Sequence, residues 1–343
     1  MGKSPISASF KQGTMLKMTV LLGFVLGFVA YAYDWCMRSS LWFVWGFIPA
    51  ALERGIRGRA DGEEILERFG FLYIIFTTLV LGVVVGLCVK CMGNPGDLAD
   101  AVKCIHKLGY VPMAQTLPMI FVSLFSIASG ASLGPEAPLV GISSSLSSWI
   151  SMRYFKHPPP MVRKCALIGM SAGLSAFFGV QLGGALFTLE VCHTMGLQFF
   201  DVSMYAISAG GICMLIFRGL RGESFGRLWH FPEIPQSGSP ELLLGIVLGF
   251  VAAWIGLFFV SLHRTIAKCL HAVGLGNFED TQRPVVLAAL GGLFVAMIGI
   301  IFPPTMFWSE FEIEALAVPG TRLHNVWPQV RCGGVGWREE TFE

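Results

Sequence analysis

Long apolar runs alternate with short polar breaks along the chain, and that rhythm predicts most of its elements. A helix that crosses a bilayer needs about 20 mainly apolar residues. Runs of roughly that size cover 14–33, 69–89, 111–129, 165–178, 199–217, 241–262 and 284–303. Two shorter runs, 138–150 and 180–195, are too brief to cross alone and are broken by glycine and proline. Such segments read as re-entrant or half-spanning helices. Irregular backbone survives at membrane depth only when buried in protein or lining a wet cavity.

The first and sixth runs repeat one another. "LGFVLGFVA" at 22–30 matches "LGIVLGFVA" at 244–252 in eight of nine positions, and a second long apolar run follows each copy. This echo predicts two structural repeats, the first over 14–230 and the second beginning near 231 and ending near 325. Broken helices that meet at a midplane site are a habit of repeat-built transporters. The charged, proline-rich stretch 218–241 reads as the connection. An A-x-A pattern at Ala30 and Ala32 behind Lys11 and Lys17 resembles a cleavable leader. The echo argues against cleavage, because a leader has no reason to resemble an internal helix. The lysines favour a cytosolic N-terminal segment, 1–13. G-x-x-x-G spacing at Gly23/Gly27, Gly82/Gly86, Gly130/Gly134, Gly169/Gly173, Gly179/Gly183 and Gly245/Gly249 predicts closely packed helices.

Composition agrees with a bilayer. Of 343 residues, 54% are hydrophobic and 13% charged, against about 25% charged in soluble domains. A net charge of +2 with scattered basic residues offers nothing for nucleic acid. Nine cysteines, several inside apolar runs (Cys88, Cys165, Cys192, Cys213), fit reduced thiols better than a disulfide framework. "CVKC" at 88–91 stands without a second pair, so it is a weak metal or redox signal.

Three places carry candidate chemistry. Glu136 is the only Asp, Glu, Lys or Arg between Leu108 and Met152, and it sits in "SGASLGPEAPLVG". Pro138 fits a first helical turn, which puts Glu136 at or just before a helix N-terminus among unpaired amides. Those amides favour a carboxylate and would equally bind a free anion. Competition between the two is the physical basis of a gate. The bland reading is a helix cap in an interfacial loop. The following "SSSLSS" at 143–148 either lines a path with hydroxyls or packs between helices. Glu190 is the only such charge from Cys165 to Phe200; it either faces a pathway or simply reaches water from a helix end. His193 stands three residues on and could pair with it. "GNPGD" at 93–97 is a strong turn signal, with Asp97 able to cap a following helix. Neither H-E-x-x-H nor a nucleophile motif occurs, so the reading is not an enzyme, with no cofactor and no metal site.

These residues resemble a known family. "GASLGPEAPLVG" is similar to the G-K/R-E-G-P motif of CLC chloride channels and transporters, with Pro135 and Ala137 replacing two motif positions. "MSAGLSAFFGVQLGGALFTLEV" at 170–191 resembles the family's next signature, and "GNPGD" stands where the family has G-S-G-I-P. The resemblance covers roughly 15–325. It implies an all-α polytopic membrane protein, a CLC-type inverted repeat of broken and tilted helices. It also implies a homodimer with one anion pathway per subunit. By carry-over Glu136 is the gate, and backbone amides at Gly134, Ala137 and Leu139 hold the anion. Gly93, Asn94 and Pro95 form the other lip, and Glu190 is a further pathway carboxylate. Three departures matter: no serine occupies "GNPGD", Val191 stands where proton-coupled exchangers carry a second acid, and the terminal motifs do not follow residue 325. The last makes the second repeat incomplete, with 326–343 as a tail outside the family pattern. The expectation is therefore a passive chloride channel in a lipid bilayer. A proton-coupled chloride exchanger is the alternative. A non-conducting fragment or regulatory subunit, dimerising with a full-length relative, is the alternative of another class.

Overall fold

The computed structural model describes residues 5–56, 62–191, 197–222, 239–273, 283–302, 305–307, 329–331 and 334–336. Apart from one small hairpin, the regular elements among these residues are helices joined by short turns. The helices are α1 (Pro5–Leu41), α2 (Ile48–Ile56), α3 (Gly62–Met92), α4 (Leu98–Lys107), α5 (Thr116–Ala128), α6 (Glu136–Arg153), α7 (Pro159–Phe178), α8 (Gln181–Val191), α9 (Leu197–Arg221), α10 (Ser239–Ala272) and α11 (Arg283–Ile301). Strands β1 (Gln329–Arg331) and β2 (Gly334–Gly336) pair antiparallel. The connection at 223–238, with His193 and Cys192, lies outside the described residues.

Six helical stretches among the described residues are long and apolar enough to cross a bilayer: Gly13–Gly55, Phe69–Met92, Pro159–Phe178, Val202–Arg221, Leu243–Ala272 and Arg283–Ile301. The first is longer than the expected 14–33. Helix α1 starts at Pro5, inside the segment assigned to the cytosol, and runs without a break through a π-helical turn, Trp42–Phe47, into α2. At about 1.5 Å per residue it exceeds the roughly 30 Å hydrocarbon core, so it tilts or projects beyond it. The run at 111–129 is corrected the other way. Only Thr116–Ala128 is α-helical there, too short to span, after a 3-10 turn at Met113–Gln115. Pro112 and Pro118 lack the N–H that an earlier helical start would need. The two short runs are indeed short helices, α6 and α8.

Small residues set the packing. Helices α6 and α7 meet through a serine face against a glycine face. A Cβ on Gly173 would lie 2.5 Å from Ser143 Oγ, and Gly169 meets Ser147 and the Ser143 carbonyl. Ser143, Ser144, Ser145, Ser147 and Ser148 are all buried. Ser147 and Ser148 donate to the carbonyls one turn back, at 2.7 and 2.6 Å, and Ser145 shares a 2.6 Å hydrogen bond with Thr116. Of the two readings of "SSSLSS", packing between helices is the one realised.

Helices α3 and α11, the second long helices of the two proposed repeats, cross backbone to backbone. A Cβ on Gly82 would lie 2.5 Å from the Ala288 carbonyl oxygen, Gly86 faces Val285 and Pro284, and Gly292 faces Thr78. Helix α10 differs: nothing approaches Gly245 or Gly249 within 4 Å, and its apolar span is exposed throughout. A helix apolar all round belongs in lipid or against another chain.

Candidate functional site

The site forms where α5 ends and α6 begins. The last carbonyls of α5 need partners from elsewhere. Ala128 finds one in the indole N–H of Trp45, which donates at 2.8 Å from the π-helical turn. Gly130, held at φ +82, has its carbonyl bonded by the Phe307 N–H at 3.0 Å, with Met306 pressed over it. Phe307 stacks edge-on to Trp45, centroids 5.4 Å apart. Residues from two distant parts of the chain, Trp45 and the pair Met306 and Phe307, thus fix the turn that leads to Glu136. Trp45→Phe keeps the ring and removes the donor, leaving a buried carbonyl unsatisfied. That should cost about 1–3 kcal/mol, measured as a lower thermal midpoint in detergent.

Glu136 is the first residue of α6, with Pro135 as N-cap and Pro138 in the first turn. Its carboxylate folds back over Gly134, so closely that any Cβ there would collide with it. Leu139 N–H already donates to the Pro135 carbonyl at 3.0 Å, the first bond of the helix. The amides of Glu136 and Ala137 precede it. Glu136 is half-buried, and its helix packs against α1, where Tyr33 is buried. Tyr33 shares a 2.8 Å hydrogen bond with Ser123 of α5.

The other lip is built differently from the expectation in detail. The Gly93 N–H is taken by the Val89 carbonyl at 2.9 Å, closing α3, and Pro95 carries no N–H, which leaves Asn94 as the amide free of the helix end. Gly93 and Gly96 hold φ +93 and +74, and the Asn94 side chain accepts from the Gly96 N–H at 3.1 Å. Helix α4 packs against α6. Asn94 and Gly96, however, line an open cleft of about 410 Å³ with Asp100, Lys103, Lys107 and Gln115, which Glu136 does not line.

Asp97 caps α4 through a full capping box: its side chain accepts from the Asp100 N–H at 2.8 Å. Asp97→Ala should cost about 1 kcal/mol, read by thermal denaturation. Asp100 in turn accepts from Lys103 Nζ at 2.8 Å, and chiefly that hydrogen bond holds its carboxyl below the ordinary range. A depressed carboxyl adds stability that is present above its unfolded pKa, near 3.9, and is lost as pH falls through the depressed value. Lys103→Met should therefore flatten the acid limb of a melting-temperature profile.

Glu190 is exposed near the end of α8, whereas Glu136 is half-buried at the start of α6. The sequence reading missed Asp34, a buried acid on α1. It accepts from Arg38 Nε at 3.0 Å and lies 3.7 Å from Arg221 Nε of α9. Arg221 also stands over the Phe217 ring, and the buried Arg218 lies against Gly179, which ends α7 at φ +66. The Asp34/Arg38 spacing of four inside an apolar run was the available signal. Cys165 and Cys213 are buried free thiols, as expected of reduced cysteines, and Cys88 and Cys91 are free.

A family model described as voltage gated chloride channel matches residues 75–328. Chloride channel protein CLC-e of Arabidopsis thaliana is 24% identical over 310 residues, 86% of this chain and 41% of that protein. Chloride channel protein C of Dictyostelium discoideum is 25% identical over 279 residues, 73% of this chain and 35% of that protein. The chain thus spans less than half the length of either relative. Its fold matches that of a slow cyanobacterial Cl⁻/H⁺ antiporter with TM-score 0.70 at 14% identity, over 94% of this chain and 74% of the other. With the matched region running through most of the apolar helices, the chain is an integral, multi-pass membrane protein and belongs to the voltage-gated chloride channel (CLC) family.

Proposed function

We propose that this chain forms a chloride pathway gated by Glu136, passive rather than proton-coupled. One observation carries the reading: the carboxylate of Glu136 lies over Gly134 at the start of α6, beside the first-turn amides. A tethered carboxylate and a free anion would compete for those donors, as the dipole and open N–H groups favour either. Backbone at Gly134 and Ala137 supplies the anion's near side. Val191 after Glu190 supports the passive form, since the CLC resemblance expects a second acid there in exchangers. The exchanger reading has its own support in a structural neighbour that is a Cl⁻/H⁺ antiporter. The pathway is proposed to work in a homodimer, or in a dimer with a longer relative, for which the exposed apolar surface of α10 is available.

Chloride efflux from liposomes holding only this chain, with external pH recorded at once, tests the proposal. Chloride leaving without proton movement is the expected result. Proton movement locked to chloride would replace the passive reading with the exchanger. Folded protein without flux would favour a fragment or regulatory subunit.

A further inference from the structure

We infer that the cleft along α4 is a headgroup site, in which Lys103 and Lys107 clamp the phosphate of an acidic membrane lipid. The site stands apart from the proposed gate, since Glu136 does not line the cleft.

Helix α4 divides into two faces. Ala101 and Ile105 are buried, and Leu98 and Val102 pack against the same core. Asp100, Lys103, Cys104 and Lys107, at the complementary spacing of three and four, line a cleft of about 410 Å³. That volume lies toward the small end of small-molecule sites, about 300–1,000 Å³, and is more than a bare halide fills. Residues four apart on a helix have Cβ atoms about 5–6 Å apart, so both ammonium groups can close on one phosphate. Asp100 holds Lys103 Nζ at 2.8 Å, and Lys107 makes no ion pair among the described residues. Two ammonium groups against one carboxylate leave the lining with a positive excess. The Asn94 side chain spends its oxygen on the Gly96 N–H at 3.1 Å, which keeps its NH₂ group as a donor, and Gln115 adds a second amide to the lining.

Depth and rim select a lipid over a dissolved anion. The crossing stretch Phe69–Met92 ends just before Asn94, which lines the cleft. The headgroup layer is about 5–8 Å thick on each side of the hydrocarbon core, so the turn after α3 opens the cleft at the level of lipid phosphates. With the N-terminus in the cytosol, as Lys3, Lys11 and Lys17 favour, Gly13–Gly55 leads outward and Phe69–Met92 returns, which sets the cleft in the cytoplasmic leaflet. That leaflet carries acidic lipids, and basic pockets between helices there bind their headgroups. The rim is apolar. Leu108, part of the lining, is 53% exposed, and Met113 and Leu117, on either side of Gln115 in sequence, are exposed as well. A phosphate tethered to acyl chains uses both surfaces, whereas a dissolved phosphate uses only the charged one. Asp100 is the opposing charge: it holds Lys103 in place and lowers the affinity for any anion beside it.

Cys104 reports on the cleft from within. It is a half-buried free thiol in the lining, while Cys91, an exposed free thiol at the end of α3, is outside the lining and serves as the reference. The full chain is placed in phosphatidylcholine nanodiscs with or without phosphatidic acid, and alkylation of each cysteine by N-ethylmaleimide is followed by peptide mass spectrometry. Phosphatidic acid should slow Cys104 several-fold relative to Cys91. Lys107→Gln should raise the phosphatidic acid needed for half-protection about tenfold or more, the worth of one hydrogen bond to a charged group. Asp100→Asn should lower it. Lys90→Gln removes an exposed charge at the end of the same crossing stretch but outside the lining, and should leave it unchanged. Cys104 protected no more than Cys91 overturns the inference. Equal loss of protection in Lys107→Gln and Lys90→Gln overturns it too, by reducing the effect to diffuse surface charge. Inorganic phosphate that protects Cys104 in pure phosphatidylcholine discs as well as the lipid does would overturn the lipid assignment in favour of a dissolved anion. None of these readouts depends on chloride flux, so their outcome is separate from that of the gate.

Discussion

Alanine at position 136 should leave the pathway permanently available to anions, with higher chloride flux per molecule and no remaining gating. The reasoning is competitive. The start of α6 holds the Glu136 carboxylate over Gly134 beside amides that precede the first helical hydrogen bond at Leu139. A partly buried helix N-terminus favours a negative charge by up to about 2 kcal/mol. Removing the tethered competitor therefore raises the apparent chloride affinity of those donors by up to about thirtyfold. Glu136→Gln keeps the volume and removes the charge, so it should fall between parent and alanine. Flux and chloride affinity that stay at parental values in Glu136→Ala would remove the central residue from the proposal. The local structure should tolerate the change, because the turn is held by Trp45, Met306 and Phe307 rather than by the carboxylate.

Gly86→Leu is expected to separate α11 from α3 and to deplete folded protein severely. The reason lies in what the new side chain meets. The Gly86 position faces Val285 Cα, and the Pro284 carbonyl oxygen lies 2.8 Å from a Cβ built there. These are backbone atoms, which cannot rotate aside as a flexible side chain does. Overpacking usually costs about 1–3 kcal/mol, and a collision with backbone belongs at or above the upper end. Helices in lipid gain nothing from hiding apolar surface, so losing close approach removes the main source of their association. Gly245→Leu makes the same chemical change on α10, where nothing lies within 4 Å, and should leave the folded fraction unchanged. Monodisperse yield and thermal midpoint in detergent would measure both. Equal behaviour of the two variants would show that the α3/α11 crossing does not hold the protein together.

The two glycine pairs also show why spacing alone was an incomplete guide. Gly82/Gly86 and Gly245/Gly249 share the same G-x-x-x-G pattern. One pair is a backbone crossing and the other meets nothing. The pattern reports that a close approach is allowed, and the partner helix decides whether it happens. Serine behaves likewise. A run of serines after Glu136 is compatible with a wetted face or a packed one, and Gly169 and Gly173 on α7 determine that it is packed.

What the sequence by itself determined is what short-range physics controls. The bilayer demands long apolar helices with every backbone group paired internally, and six of the seven predicted spans coincide with helices able to cross. The run at 111–129 failed because its prolines delay the helix. Glycine and proline punctuate locally, so Glu136 at a helix start and Asp97 as a cap were legible within a few residues of themselves. Only the tertiary structure decided what surrounds them. Tyr33 meets Ser123 across 90 residues, and Trp45 reaches Ala128 across 83. Asp34 finds Arg221 on another helix. Such contacts depend on the angle and depth at which whole helices pack, and no periodicity within one segment encodes its neighbour. Glu136 at a helix start was readable from the chain alone; the Tyr33–Ser123 hydroxyl pair and the bond of the Trp45 indole to Ala128 were made by the fold.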